Sequence, residues 1–221
     1  GVNFDKTNDE LALSREAAHS HNRIIHAGDT TGKAILDELI AIVRTRENIK
    51  IYEKTFAIDI ITDANEGLDC KGVLVCDETN GSLQIILSNN VVLATGGFGQ
   101  IYSNTTNPEV ATGDGVCMAY RAGAPLMDLE FVQFHPTVLY HSENKSFLIS
   151  EAVRGEGAQL KNAEGRRFMH DYHPMGELAP RDVVSRAIFN EMKKTGSENV
   201  FLDITFKGEE FLKKRFPNIY E

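Results

Sequence analysis

Cysteine is scarce: only Cys70, Cys76 and Cys117 occur, an odd number with no Cys-x-x-Cys spacing among them. That argues against a disulfide framework or a thiolate metal site and fits buried, reduced thiols in a reducing compartment. Long apolar runs are also missing, so no stretch reads as a membrane span, and no signal-like apolar segment opens the chain. The expected location is cytoplasmic. Positive charge is in deficit, with 23 Lys plus Arg against 32 Asp plus Glu and a formal net charge of -9. Such a surface repels phosphate backbones and anionic lipid, so neither nucleic acid nor membrane is an expected partner. An anionic small substrate must then be drawn in by a local cluster of Arg and His. The G-x-G-x-x-G dinucleotide fingerprint is absent as well.

What remains is an ordinary globular composition, 42% apolar and 25% charged over 221 residues, enough for one large domain or two small ones. Asp29, Thr30 and Thr31 offer caps for a helix in which Ala34, Ile35, Leu39, Ile40 and Val43 recur at helical spacing before the charged "RTRENIK". "IKIYEKTFAIDIIT" reads as extended chain. "CKGVLVCDETNGSLQIILSNNVVLATGG" alternates strand runs with turns at residues 79–82 and 89–90, then a last strand over Val91 to Ala94 ending in glycines. This is a small antiparallel meander of the kind that decorates a doubly wound sheet. "TGDGVCMAYRAGA" forms a helix opened by Gly113, Asp114 and Gly115 and left at Gly123. Near Asp128 the texture changes to more charge, aromatics and histidine, which places a domain boundary there. "FLDITFKGEEFLKKRFPNIYE" reads as a strand and then a helix stopped by Pro217.

Each chemistry-bearing motif has a plain reading beside a functional one. In "VVLATGGFG" the glycines serve a strand-to-loop turn or a close ligand approach equally well. Asp114 in "TGDGV" is a helix cap or a ligand acid. His135, displayed rigidly before Pro136, is a satisfied structural histidine or a binding group, and His141 follows six residues on. His19, His21 and His26 lack a cysteine or carboxylate at matching spacing, so no metal is expected. Arg181 sits at the positive end of a helix, where a cation is out of place and must serve something else. Arg154, Arg181 and His135 are the candidate anion cluster. In "LISEAVRGEGAQL", Glu151 and Arg154 stand three apart, a salt-bridged helical turn or a proton relay, with Gly155 and Gly157 as the turn that ends it.

Taken in order, "VVLATGGFGQIY", "TGDGVCMAYRAGA", "LEFVQFHPT", "LISEAVRGEGA" and "APRDVVSRAI" resemble the flavoprotein subunits of succinate dehydrogenase and fumarate reductase and, more closely, L-aspartate oxidase. "SREAAHSHNRIIHAGDTTG", "YHSENKSFLISEA" and the closing stretch favour the oxidase. The resemblance spans nearly the whole chain and implies an α/β plus α+β fold. Residues 1–129 would be part of an FAD-binding doubly wound domain with a β-meander insert. Residues 130–221 would be the capping, substrate-binding domain, truncated at its C-terminal end.

The implied chemistry is oxidation of L-aspartate to iminoaspartate with FAD as hydride acceptor and oxygen or fumarate as reoxidant. This is the first step of NAD biosynthesis through quinolinate, with a functional link to quinolinate synthase. The resemblance assigns Arg181 as proton donor or acceptor, and Glu151 and Arg154 as the relay joining it to solvent. It assigns His135 and Ser150 to the substrate carboxylates and Glu16 to the amino group. Phe56 and Ala57 fall on the adenine side of FAD, and Asp114 matches the acid of "TGDG". Because the family's pyrophosphate fingerprint and later substrate residues are not found, the chain reads as an internal piece that alone neither holds FAD tightly nor turns over aspartate. Two alternatives stand: a piece of a fumarate reductase or succinate dehydrogenase flavoprotein, and a stand-alone, non-catalytic capping module.

Overall fold

The computed structural model describes residues 1–16, 19–63, 68–140 and 146–221, so His141 and most of the "YHSENKS" link lie outside the described residues. The chain forms two compact units, one built from Gly1–Glu47 with Gln133–Glu221, the other from Asn48–Val132. These units do not coincide with a division at 129/130, because the first 47 residues pack with the last part of the chain.

The first unit opens with two short antiparallel pairs, β1 (Lys6–Thr7) with β2 (Glu10–Leu11) and β3 (Leu13–Ser14) with β4 (Ile24–Ile25). Helix α1 (Thr31–Arg44) follows, with the expected apolar spacing. Its cap differs from expectation. The Asp29 carboxylate accepts the backbone N–H groups of Asn218 and Ile219 at 3.0 and 3.2 Å, so it serves a helix at the other end of the chain. The Thr31 hydroxyl instead accepts the Ala27 N–H.

In the second unit β5 (Thr55–Asp63), β6 (Asp69–Asp77) and β7 (Leu83–Leu87) form an antiparallel sheet in that order. The β6–β7 turn is fixed by Asp77, whose carboxylate accepts the Thr79 N–H at 2.8 Å while its carbonyl accepts the Gly81 N–H at 2.7 Å. Val91 to Ala94, expected as a strand, are not one. A strand exists only through its ladder, and no strand among the described residues pairs with this stretch, leaving Val92 90% exposed. Helix α2 (Asp114–Arg121) packs on β5, and its last residue closes the contact: Arg121 Nε donates to Asp59 at 3.0 Å and Nη2 to the Ile58 carbonyl at 2.7 Å. Cys70 and Cys76 are half-buried; Cys117 is exposed, against expectation, because the buried positions of α2 are Gly115 and Met118.

Back in the first unit, β8 (Val138–Leu139) pairs with β9 (Phe147–Leu148), and α3 (Glu151–Gly155) starts just beyond β9. Strand β10 (Gln159–Lys161) pairs antiparallel with β11 (Phe201–Asp203), and α4 (Arg181–Thr195) lies between them in sequence. The chain ends in α5 (Glu209–Arg215) and α6 (Pro217–Tyr220), so Pro217 occupies the first turn of a new helix as well as ending the previous one. The core gathers Leu160, Phe168, Met169, Ala179, Val184 and Ala187, with a neighbouring cluster of Val153, Ala158 and Phe216.

Candidate active site

Helix α3 is a single turn, too short to stand by propensity alone, and its surroundings hold it. The Ser150 hydroxyl accepts the Ala152 N–H at 3.3 Å, capping the helix. The Ile149 N–H donates to the Thr137 carbonyl, and the Thr137 hydroxyl returns a bond to the Ile149 carbonyl at 2.9 Å. This double link sets the His135-Pro136-Thr137 segment beside the start of α3. The Ser185 hydroxyl, one turn into α4, donates to the Phe134 carbonyl at 2.9 Å and brings Arg181 to the same place.

Three elements far apart in sequence therefore converge on Glu151. Its Oε2 accepts from Arg181 Nε at 2.5 Å, and its Oε1 lies 3.4 Å from Arg154 Nη2. Arg154 has no exposed surface, whereas the Arg181 side chain keeps 35% of its own. Arg181 also donates from Nη1 to Gln133 Oε1 at 3.2 Å.

Glu151 is thus a buried carboxylate between a sealed guanidinium and a half-exposed one. Burial pulls Arg154 below its ordinary pKa, with Arg181 adding to the fall and Glu151, Glu177 and Glu16 opposing it. Burial likewise lowers His135, followed by the Arg181 charge, with Arg154 contributing less. The Thr137 N–H donates to His135 Nδ1 at 3.3 Å. Burial and the Arg181 charge both favour the neutral ring, a hydrogen-bonding group, over the charged one.

Glu16 reaches this group through a steric device. A Cβ on Gly155 would fall 2.5 Å from the Arg15 carbonyl oxygen and 3.9 Å from the Glu16 Cα. Gly155 is therefore required by the close approach of the 15–16 backbone to the end of α3, and only Gly157, at φ 98°, has the turn conformation expected of both glycines. Glu16, His135, Ser150, Glu151, Arg154 and Arg181 all belong to the first unit and share this neighbourhood. Ser150 spends its hydroxyl acceptor on the helix cap. Among the described residues no cluster of three or more His, Cys, Asp or Glu is placed to hold a metal ion.

Phe56, Ala57 and Asp114 belong to the second unit. Phe56 and Ala57 pair with Cys76 and Val75 on β6, just before a register shift at Ala57/Asp59. Asp114 opens α2, where a Cβ on Gly115 would strike Thr95 Oγ1 at 1.9 Å, so the "ATGG" loop is seated against the first helical turn. At Gly96, φ 71°, and Gly97 an added Cβ would meet nothing within 4 Å, so this backbone is open to close approach. The Thr112 hydroxyl donates to the Asp114 carboxylate, which keeps acceptor capacity for a ligand hydroxyl. Open glycine backbone leaves room for close approach, and a carboxylate with free acceptor capacity suits the ribose hydroxyls of a nucleotide cofactor rather than its phosphates.

Sequence reasoning missed Gln133, and it missed Glu177, whose carbonyl accepts from Arg154 Nη1 at 2.7 Å. Both act through partners 48 and 23 residues away, separations no local motif marks.

Comparison with known proteins places the chain as a whole. A family profile described as "FAD binding domain" matches residues 1–221. L-aspartate oxidase 1 of Ralstonia nicotianae is 51% identical over 210 residues, covering 94% of this chain and 39% of that protein. L-aspartate oxidase of Synechocystis sp. is 49% identical over 223 residues, covering 99% and 40%. Among solved structures, a variant E. coli quinol fumarate reductase FrdA superposes with a TM-score of 0.88 at 34% identity, over 98% of this chain and 39% of that one. Mycobacterium smegmatis Sdh1 in complex with UQ1 gives 0.69 at 33%, over 100% and 39%. The chain spans about two fifths of the length of the curated relatives it matches. With its helix-opening acid, glycine-lined loop and profile match along the full 221 residues, the chain belongs to the FAD binding domain family.

Proposed function

We propose that a flavin-loaded protein containing this chain oxidises L-aspartate to iminoaspartate. The observation that carries the reading is the shared carboxylate of Glu151, held at 2.5 Å by Arg181 and paired with sealed Arg154, with Glu16 brought to the same short helix. Cations and a neutral histidine suit the two carboxylates of the substrate. A carboxylate in the same neighbourhood suits an ammonium, which succinate lacks. Bound FAD supplies the two-electron acceptor for the Cα hydride, and Phe56, Ala57 and Asp114 are the residues of this chain that would hold it.

An arginine moves protons near neutrality only when its charge is opposed by other cations and a carboxylate stands ready to exchange with it. Beside Arg181 stand the Glu151 carboxylate and, across it, the Arg154 cation. In this reading Arg181 is the proton donor or acceptor at the substrate, Glu151 and Arg154 form the relay, His135 and Ser150 bind carboxylate, and Glu16 orients the amino group. The residues from 130 onward act as the capping side of the site. Oxygen or fumarate reoxidises the flavin, and the iminoaspartate enters NAD synthesis through quinolinate, with quinolinate synthase as functional partner and the cytoplasm as location. The 221-residue chain by itself neither holds FAD tightly nor turns over aspartate.

The structural likeness to fumarate reductase supports a second reading, a succinate or fumarate flavoprotein, and Glu16 separates the two. In a flavin-loaded protein containing this chain, peroxide released with L-aspartate and not with succinate, and lost in Glu16→Gln, is the expected result. Equal turnover of succinate, or Glu16→Gln with undiminished aspartate oxidation, overturns the assignment. Failure of the loaded protein to oxidise either substrate favours the non-catalytic module.

A further inference from the structure

Arg154 is sealed from solvent, yet its guanidinium makes a single hydrogen bond among the described residues, from Nη1 to the Glu177 carbonyl at 2.7 Å; Nε and Nη2 have none. The Glu177 carbonyl is thus the one hydrogen-bond acceptor that orients this buried fork, beside the looser ion pair to Glu151 at 3.4 Å. Glu177 is itself pinned at its other end. Its Oε1 accepts the Leu160 N–H at 3.0 Å and Arg167 Nε at 2.8 Å, and its Oε2 accepts Arg167 Nη2 at 2.5 Å. Burial opposes its charge, but the bonds from Arg167 and Leu160 outweigh that and hold Glu177 below the ordinary carboxylate range. The residue lies in a short turn, Gly176–Leu178, joined through Ala179 and Pro180 to Arg181. One residue thus anchors Arg154 by its main chain and stands four positions before the other arginine on Glu151.

We propose that Glu177 is a positioning residue for the Arg154–Glu151–Arg181 group, and that the two-pronged pairing with Arg167 is what fixes the Glu177 carbonyl against Arg154. Its relevance to turnover rests on the oxidase reading; the geometric claim does not. A residue that merely staples β10 to the turn would change stability and leave the Arg154 guanidinium unaffected.

The test is side-chain nitrogen NMR on the 221-residue chain, with the Arg154 signal assigned by its loss in Arg154→Lys. In the unmodified chain, rotation about the Arg154 Nε–Cζ bond is expected to be slow, with resolved Nη lines. Arg167→Lys keeps the charge at a side chain that is 40% exposed but loses the fork. Glu177→Gln keeps the Leu160 acceptor and loses the ion pair. Both are expected to speed the rotation roughly tenfold or more, the scale of losing one hydrogen bond to a charged group. Unchanged rotation in folded Arg167→Lys overturns the proposal, and that variant decides the matter if Glu177→Gln does not fold. Neither readout involves aspartate or flavin, so failure here and failure of the oxidase reading are separately visible. In a flavin-loaded protein, Glu177→Gln is expected to lower kcat and displace its pH profile while KM for L-aspartate stays unchanged. An unaltered profile there removes the link to turnover.

Discussion

Glu151→Gln changes one atom's identity and removes the only acidic side chain within ion-pair distance of Arg154 among the described residues. Arg181 can recover water, since a third of its side chain is exposed; Arg154, with no exposed surface, cannot. Removing one partner of a buried ion pair leaves an uncompensated charge and costs about 3–5 kcal/mol. With an m-value of roughly 2 kcal/mol/M in urea, the unfolding midpoint should fall by about 2 M. The companion variant Glu151→Gln with Arg154→Met removes the stranded charge, and it should recover a large part of that loss, a coupling that a double-mutant cycle reads directly. The assay is urea unfolding followed by circular dichroism at fixed pH and salt. A drop in midpoint smaller than about 0.5 M, or a double variant no more stable than the single one, would refute the view that Glu151 compensates Arg154.

Three further outcomes follow. His135 should titrate below its ordinary 6.5, because burial and then the Arg181 charge disfavour the protonated ring. The unfolded chain then binds that proton more readily, so the stability contributed by the neutral ring is complete above about pH 6.5 and falls as pH drops through the folded value; an NMR midpoint at or above 6.5 contradicts this. Gly155→Ala should cost about 1–3 kcal/mol, as overpacking against an unyielding backbone does, since the new Cβ meets the Arg15 carbonyl at 2.5 Å. An unchanged melting temperature would show that this approach is not tight. The second unit leaves Val92, Met127 and Phe131 between 79% and 90% exposed. The isolated chain should therefore bind a hydrophobic dye and associate with rising concentration in light scattering, and a monomer without dye binding would contradict it.

Local signals carried the parts of the fold that depend on local physics. Helix α2 begins where Gly113 and Asp114 announce it, and α4 follows Pro180, because caps and fixed φ values act within a turn. The β6–β7 turn is equally legible from "DETNGS", which satisfies its own backbone. Val91 to Ala94 failed as a strand because pairing is not a property of the segment, and Asp29 was misassigned because the helix it caps lies 189 residues away. At the site, Glu151, Arg154 and Arg181 were recognisable as a charged group out of place. Gln133, Glu177 and the steric demand at Gly155 were not, because each exists only where two distant backbones meet.

The discontinuity of the first unit has a consequence for the order of events during synthesis. The three-stranded sheet of the second unit and the helix on it lie within residues 48–132, so these elements have been made once Val132 is added. Residues 1–47 must wait, since the partners they touch, Gly155 at the end of α3, Arg215 in α5 and Asn218 in α6, are made only with residues 133–221. Closing a loop across a folded insert costs little more than across a shorter one, so the delay is one of timing rather than of stability. Nascent chains arrested after Val132 should therefore show protease protection of residues 48–132 while residues 1–47 remain cleavable, and protection of the latter should arise only when α5 and α6 have left the ribosome.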